Sequence, residues 1–202
     1  MDSSSDDTRE APNIVSVKSP RVRFDTRDML RRWWAVLSKP GVATFDIQQE
    51  GASWSSVVIQ LAILGVLDAL LASLGTTTGV ILVIVGSIAS AYISFFLLAG
   101  LTYGSARLFG GNGAFLPLAY TLVLIYVPLQ ILGIAVLFVP GIGPLLQLAL
   151  FIYQILLSVY AVASVYKLKM MRAAGAALVP ILALFVLGYV LVALGLQSVA
   201  GL

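Results

Sequence analysis

The sequence predicts an all-α integral membrane protein: a bundle of five transmembrane helices preceded by a cytoplasmic amphipathic interfacial helix. Three observations carry this. Four runs are free of charge, 79 to 106, 115 to 139, 142 to 166 and 176 to 197, and a fifth, Trp54 to Leu74, has Asp68 as its single charge. Each run holds the roughly 20 apolar residues that a helix needs to cross about 30 Å of hydrocarbon. The 12 Lys and Arg residues then all fall on one side of the membrane, eight before Trp54, followed by Arg107, Lys167, Lys169 and Arg172. By the positive-inside rule the N-terminus is expected in the cytoplasm and the C-terminus outside, in a cell membrane. Composition agrees: with 60% hydrophobic and 10% charged residues and a mean hydropathy of +1.02, little is left for a soluble domain beyond the first 53 residues.

Residues 1 to 23 are rich in Ser, Asp and Pro and are expected to be a disordered cytoplasmic tail. The start MDSSSDD is acidic and polar, unlike a cleavable signal, so the first span is expected to act as its own insertion signal. Residues 24 to 53 form the interfacial segment. Asp25 can cap a helix, Asp28 takes the reciprocal capping-box position, and Phe24 and Met29 have staple spacing. The helix from Asp25 to Lys39 places Met29, Leu30, Trp33, Trp34 and Leu37 on one face, with Asp28, Arg31, Arg32 and Lys39 on the other, before Pro40 stops it. Trp33 and Trp34 beneath Arg31 and Arg32 suit the headgroup layer. Packing of the two tryptophans against the cytoplasmic ends of the bundle is the compatible alternative.

Residues 54 to 202 form the membrane domain. The second span is too long for the bilayer if carried to Leu108, so its cytoplasmic end is expected to protrude. Within it Gly86, Ser90 and Ser94 recur every four residues, as do Gly100 and Gly104, which lets a neighbouring helix approach closely. Pro128 lies mid-membrane in the third span and is expected to kink it. Gly110, Gly111, Asn112 and Gly113 resemble a phosphate loop only superficially, since Ala114 and Phe115 follow where a Walker loop has Lys and Ser or Thr. A cytoplasmic turn is the expected role, because Gly and Asn tolerate positive φ. The sequence VPGIGP at 139 to 144 reads as a turn on the opposite side.

The chemistry on offer is sparse. There is no Cys and no His, and one acid lies inside the membrane. Neither a Ser nucleophile with its usual base, nor a pair of facing aspartates, nor a metal on His and carboxylate can be assembled there. A non-enzyme is expected, with no catalytic residue, cofactor or metal. The basic residues border the spans, where anionic headgroups account for them, so no nucleic-acid partner is implied.

Several segments together resemble the Ypt/Rab-interacting, or YIP, domain family of multi-pass membrane proteins. They are WWAVLSKPGVATF at 33 to 45, GGNGAF at 110 to 115, Pro128, PGIGPLLQLALFIYQILLSVYAV at 140 to 162, and the basic turn ending at Arg172 and Ala173. The resemblance spans about residues 29 to 197 and implies five helical spans with a cytoplasmic N-terminus. Eukaryotic members of that family are linked to small GTPases and to trafficking at Golgi or endoplasmic reticulum membranes, and a small GTPase partner enters only through this resemblance. The motif DLYGP that those members carry before the first span is absent here. In this the chain looks more like the prokaryotic branch.

Two function classes follow: a scaffold or adaptor in membrane organisation or trafficking, and a transporter or channel for a small solute or ion. The scaffold would use the interfacial helix and small-residue faces toward the lipid bilayer, a membrane-protein partner or a second copy. The transporter would use a polar layer. Counting 1.5 Å per residue, Asp68 and Gln130 lie about 21 and 22 Å from the cytoplasmic edge, and Gln147, five residues into the fourth span, reaches roughly the same level. Asp68 is therefore expected to face the bundle interior and to donate, as a neutral acid, to one or both glutamines. A packing clamp and a proton or cation site both fit that layer.

Overall fold

The computed structural model describes residues 25 to 74 and 79 to 193, with the backbone alone from 191. The expected disorder of residues 1 to 23, the staple residue Phe24, the loop at 75 to 78 and the tail after Gln197 lie outside these. Among the described residues there are seven helices and no strand: α1 (Thr26–Ser38), α2 (Val42–Gln49), α3 (Trp54–Ser73), α4 (Val80–Leu108), α5 (Phe115–Leu137), α6 (Gly143–Tyr166) and α7 (Met170–Ala193). The last five are long and apolar enough to cross a membrane. They are the five apolar runs, and the chain is an all-α, multi-pass bundle.

Helix boundaries follow local chemistry. The side chain of Asp25 accepts from the backbone N–H of Arg27 at 2.9 Å and so caps α1. Asp28 does not complete a capping box; it pairs with Arg32 one turn on, at 2.8 Å. Ser53 caps α3 by accepting from the N–H of Ser56. Lys167 ends α6 in the left-handed conformation, with φ of 52°. The last span begins at Met170, six residues before the apolar run. Arg172 lies in that first turn and not in a connecting loop.

α5 is the axis of the bundle. It is the most buried of the spans, and α3, α4 and α6 all pack on it. Its inward side chains include Leu118, Val123, Leu124, Ile125 and Val127, all essentially inaccessible. Pro128 is buried within it, and the helix continues through to Leu137. α3 packs chiefly against α4, and α7 closes the bundle against α4 and α6. Across that last seam Ser105 donates to the carbonyl of Ala176 at 2.6 Å.

The close approach of helices is not made where the four-residue repeat of small residues predicts it. Gly86, Ser90, Ser94, Gly100 and Gly104 lie on the outer face of α4, and no atom would meet a Cβ placed on any of those three glycines. The contact is made instead by Gly65 of α3, where an added Cβ would lie 2.9 Å from the Cα of Ile88. The repeat identifies a smooth helix face, but the face that α3 meets carries Ile88, Tyr92 and Phe96: Tyr92 donates to the carbonyl of Val58 at 2.7 Å, and the Phe96 ring lies 6.4 Å from that of Trp54.

Candidate functional site

Two places bring polar side chains together: the end of the bundle that carries the basic residues, and the lateral surface of α6 nearer the opposite end. At the basic end α1 and α2 form a cap. Phe45 of α2 and Val36 of α1 are wholly buried, which anchors the pair of short helices on α5 and α6. α2 was not apparent in the sequence. It has eight residues, no side-chain cap and little amphipathic pattern, with only the Pro40 and Gly41 break to announce a new element.

The tandem tryptophans separate. Trp33 is only 9% exposed and donates from Nε1 to the Oε1 of Gln60 at 2.7 Å, a bond wholly inside the protein. Trp34 is 72% exposed, beside Leu30 at 51% and near Arg31, which is also exposed. A helix turns about 100° per residue, so an apolar stripe as wide as this one touches two surfaces. Met29, Trp33 and Val36 meet the bundle, while Leu30 and Trp34 face away from it. Packing against the bundle therefore describes Trp33, while Trp34 is left exposed.

Arg32 corrects the expectation of an outward basic face. Its Nε donates to Asp28 at 2.8 Å and its Nη1 to the hydroxyl of Tyr120 on α5 at 3.1 Å. Burial opposes its charge, but Asp28 and Tyr120 outweigh that, and Arg32 holds its proton more tightly than an ordinary arginine. It stands in a cavity of about 270 Å³ with Asp28, Glu50, Gln60 and Tyr120 among its walls. Tyr120 lies five residues into α5, so the guanidinium reaches about 8 Å past the helix end.

The cap is held at its other edge by α6. Tyr153 donates to the carbonyl of Leu37 at 2.6 Å. Asp46 of α2 accepts from Ser164 and from Lys167, each at 2.6 Å, while Gln49 donates to Ser164 at 2.7 Å. The bonds from Lys167 and Ser164 pull the Asp46 carboxyl below its ordinary 3.8. The glycine loop is part of the same edge. A Cβ on Gly111 would come within 2.6 Å of the Tyr166 ring, and one on Gly113 within 2.7 Å of the Val165 carbonyl oxygen. Gly110 has φ of 88°. These glycines seat the α4 to α5 turn against the end of α6.

The predicted polar layer is not joined by direct bonds. Asp68 is half-buried on α3 and, among the described side chains, makes no hydrogen bond to Gln130 or Gln147. The phenol of Tyr126 stands near both Asp68 and Gln130, one turn apart from the latter on α5. Gln147 lies against Gly133 of α5, where an added Cβ would be 3.2 Å from its Nε2. Tyr126, Gln130 and Gly133 follow one another at i, i+4 and i+7 on a single face of α5, so Tyr126 stands between Asp68 and the two glutamines, with no direct bond from Asp68 to either. Gln130 and Gln147 instead share a lateral cavity of about 410 Å³ with Gln154. Among the described residues no three His, Cys, Asp or Glu side chains gather in a way that would hold a metal.

The Yip1 domain model matches residues 34 to 193. No curated protein and no solved structure matches the chain. The match covers α2 to α7 and all but the first turns of α1, well over half of the sequence. The chain therefore belongs to the Yip1 domain family of multi-pass membrane proteins.

Proposed function

We propose that this protein is a non-enzymatic scaffold or adaptor in membrane organisation, with the α1–α2 cap as its working surface at the cytoplasmic face. The observation that carries this reading is the two-sidedness of the cap. Its inner side is fixed to the bundle by Trp33, Arg32, Leu37 and Asp46, so its outer side presents Leu30, Trp34 and Ile47 in a fixed arrangement, each at least half exposed. Leu30 and Trp34 suit the inner headgroup layer, with Arg31 placed to meet anionic lipid. Ile47, on α2, is free for a protein partner. The transporter reading depended on a polar layer across the bundle, and the lack of a direct bond from Asp68 to Gln130 or Gln147 among the described side chains gives it less support than the cap gives the scaffold.

A photoactivatable amino acid at Ile47 in native membranes tests this. A discrete protein adduct at Ile47, absent when the same group replaces the buried Phe45, is the expected result. Lipid adducts alone at position 47, together with solute or ion flux in proteoliposomes, would replace the scaffold by the transporter. Orientation is tested separately: a reporter after Leu202 should register as extracytoplasmic and one at Asn112 as cytoplasmic. The same side for both would remove one crossing from the topology.

A further inference from the structure

Gln147 and Gln154 lie seven residues apart on one face of α6, and Gln130 of α5 faces the same lateral cavity. From the α6 end at Gly143 they stand about 6 and 16 Å deep, and Gln130 about 10 Å from the end of α5. Gln154 is thus near the middle of a hydrocarbon core about 30 Å thick. Neither Gln147 nor Gln154 has a hydrogen-bonded side chain among the described residues; only the backbone carbonyl of Gln154 is engaged, by Ser158 at 2.8 Å. A primary amide left unpaired in hydrocarbon costs several kcal/mol, because no water is there to take its place.

A second cavity, of about 390 Å³, continues from the first. Phe151 and Gln154 line both. It runs between α4, α5, α6 and α7, walled by Leu98, Leu122, Ile155, Ile181 and Phe185, with Thr102 and Ser158 as its polar members besides Gln154. Both of those hydroxyls are already bonded to carbonyls of their own helices, so beyond Gln154 this second cavity is effectively apolar. The surface therefore offers a row of amides that leads into an oily trough.

The geometry points to a lateral lipid site on this surface, one that takes a neutral acylglycerol bearing a free hydroxyl, of the diacylglycerol class. Its hydroxyl and ester carbonyls pair with Gln130, Gln147 and Gln154, and one acyl chain lies in the trough past Phe151. Three features choose this occupant. Amides both donate and accept, as do a hydroxyl and an ester together. No Lys or Arg lines either cavity, so a phosphate drawn to the level of Gln154 would have no counter-charge. A helix about 10 Å across fills roughly 400 Å³ in each turn, so the trough has room for about one turn of protein but accepts a flexible chain along its length.

The test uses the full chain in liposomes of phosphatidylcholine doped with either a photoactivatable diacylglycerol or a photoactivatable phosphatidylcholine, with the labelled peptides mapped. The diacylglycerol probe should label α6 around Gln147 to Ile155 in the unaltered protein. The isosteric Gln147→Leu, Gln154→Leu double variant should lose about tenfold of that labelling, as expected for one or two amide bonds, while labelling by the phosphatidylcholine probe stays low and unchanged. Gln154→Met alone, with an unaltered unfolding midpoint, gives the same answer with a smaller loss and guards against misfolding of the double variant. Equal labelling of α6 by both probes would reduce the site to ordinary boundary lipid. Undiminished diacylglycerol labelling in the Leu variant would remove the amides from recognition, and α6-to-α6 crosslinks between copies would give the surface to a second chain.

Discussion

Replacing Trp33 by Ala should release the cap, whereas the same change at Trp34 should not. Trp33 is almost fully buried, and truncation of such a core aromatic costs about 3–5 kcal/mol. Loss of its N–H also strands the Oε1 of Gln60, which is 2% exposed, at a cost of about 1–3 kcal/mol if nothing replaces the donor. Some of that overlaps with the first figure, because the cavity left by the indole lets Gln60 move. Taking the lower bound of about 3 kcal/mol, the population with the cap detached rises by more than about a hundredfold. Arg27, Arg31 and Arg32 are trypsin sites within the cap, whereas Lys39 is followed by Pro40 and is not cut, so the cleavage rate at those three arginines in detergent micelles follows that population when opening is fast compared with cutting. Trp33→Ala should accelerate cleavage about a hundredfold, and Trp34→Ala by less than about twofold, since the outer ring is released from no protein contact. Trp33→Phe separates bond from bulk: it keeps most of the packing and loses about 1 kcal/mol, roughly a fivefold acceleration. Equal sensitivity at the two positions would refute the docking of α1 through Trp33.

The glycine turn and the α4 face should respond oppositely to the same substitution. Gly111→Ala and Gly113→Ala drive a methyl into the Tyr166 ring and the Val165 carbonyl and should each cost about 1–3 kcal/mol, read as a lowered unfolding midpoint, while Gly86→Ala meets nothing and should raise it slightly by helix propensity. Acid should loosen the α2 edge of the cap. Because the folded Asp46 carboxyl lies below its ordinary 3.8, the stability it lends is fully present above that value and declines as pH falls from there through the folded value. Tryptic cleavage is unsuited to that range, so amide protection in α2, taken relative to the intrinsic exchange rate at each pH, is the measurement: it should fall on acidification below about pH 4 in the unaltered protein and be lower but flat over that window in Asp46→Asn. The side chains of this pair are 40% and 68% exposed, which keeps the effect small.

The spans were legible because hydropathy adds along the chain and needs no knowledge of neighbours. Trp54, Phe115 and Gly143 begin helices within a residue or two of where the charge-free runs begin. The α1 helix was legible for a similar reason, since Asp25 and Pro40 mark its ends by local chemistry. What the sequence could not carry was azimuth. Adjacent residues on a helix point about 100° apart, so Trp33 and Trp34 share a stripe in projection and different neighbours in space. The same limit misdirected the small-residue repeat. Gly86, Ser90 and Ser94 have the spacing of a packing face, but a single Gly65 on the partner helix makes the approach, and one glycine in an apolar run carries no periodic signal. α2 escaped because eight residues span little more than two turns, too few for a period to emerge.

The polar residues of the spans fall into two populations. Gln60, Tyr120, Tyr153 and Ser164 sit inside apolar runs, and each is engaged by a residue of the cap: Trp33, Arg32, Leu37, and Asp46 with Gln49. They come from three different spans, yet all face the one side of the bundle where α1 and α2 dock. Their cost in hydrocarbon is offset within the chain, and their role is to make the cap's position specific, which apolar packing alone would leave free to slide. Among the described residues no capping segment meets Gln147 and Gln154, and the connection between α5 and α6 is the short, uncharged turn through Pro140 and Gly141, while Gln130 has the phenol of Tyr126 beside it. Depth grouped Asp68 with these glutamines, and Tyr126 of α5 stands between Asp68 and Gln130. On the cap side, polarity in the spans is matched by the protein itself. On the α6 side it is left for the membrane to match, and that is where exchange of a polar lipid, rather than a bond inside the fold, gives a glutamine in the bilayer its partner.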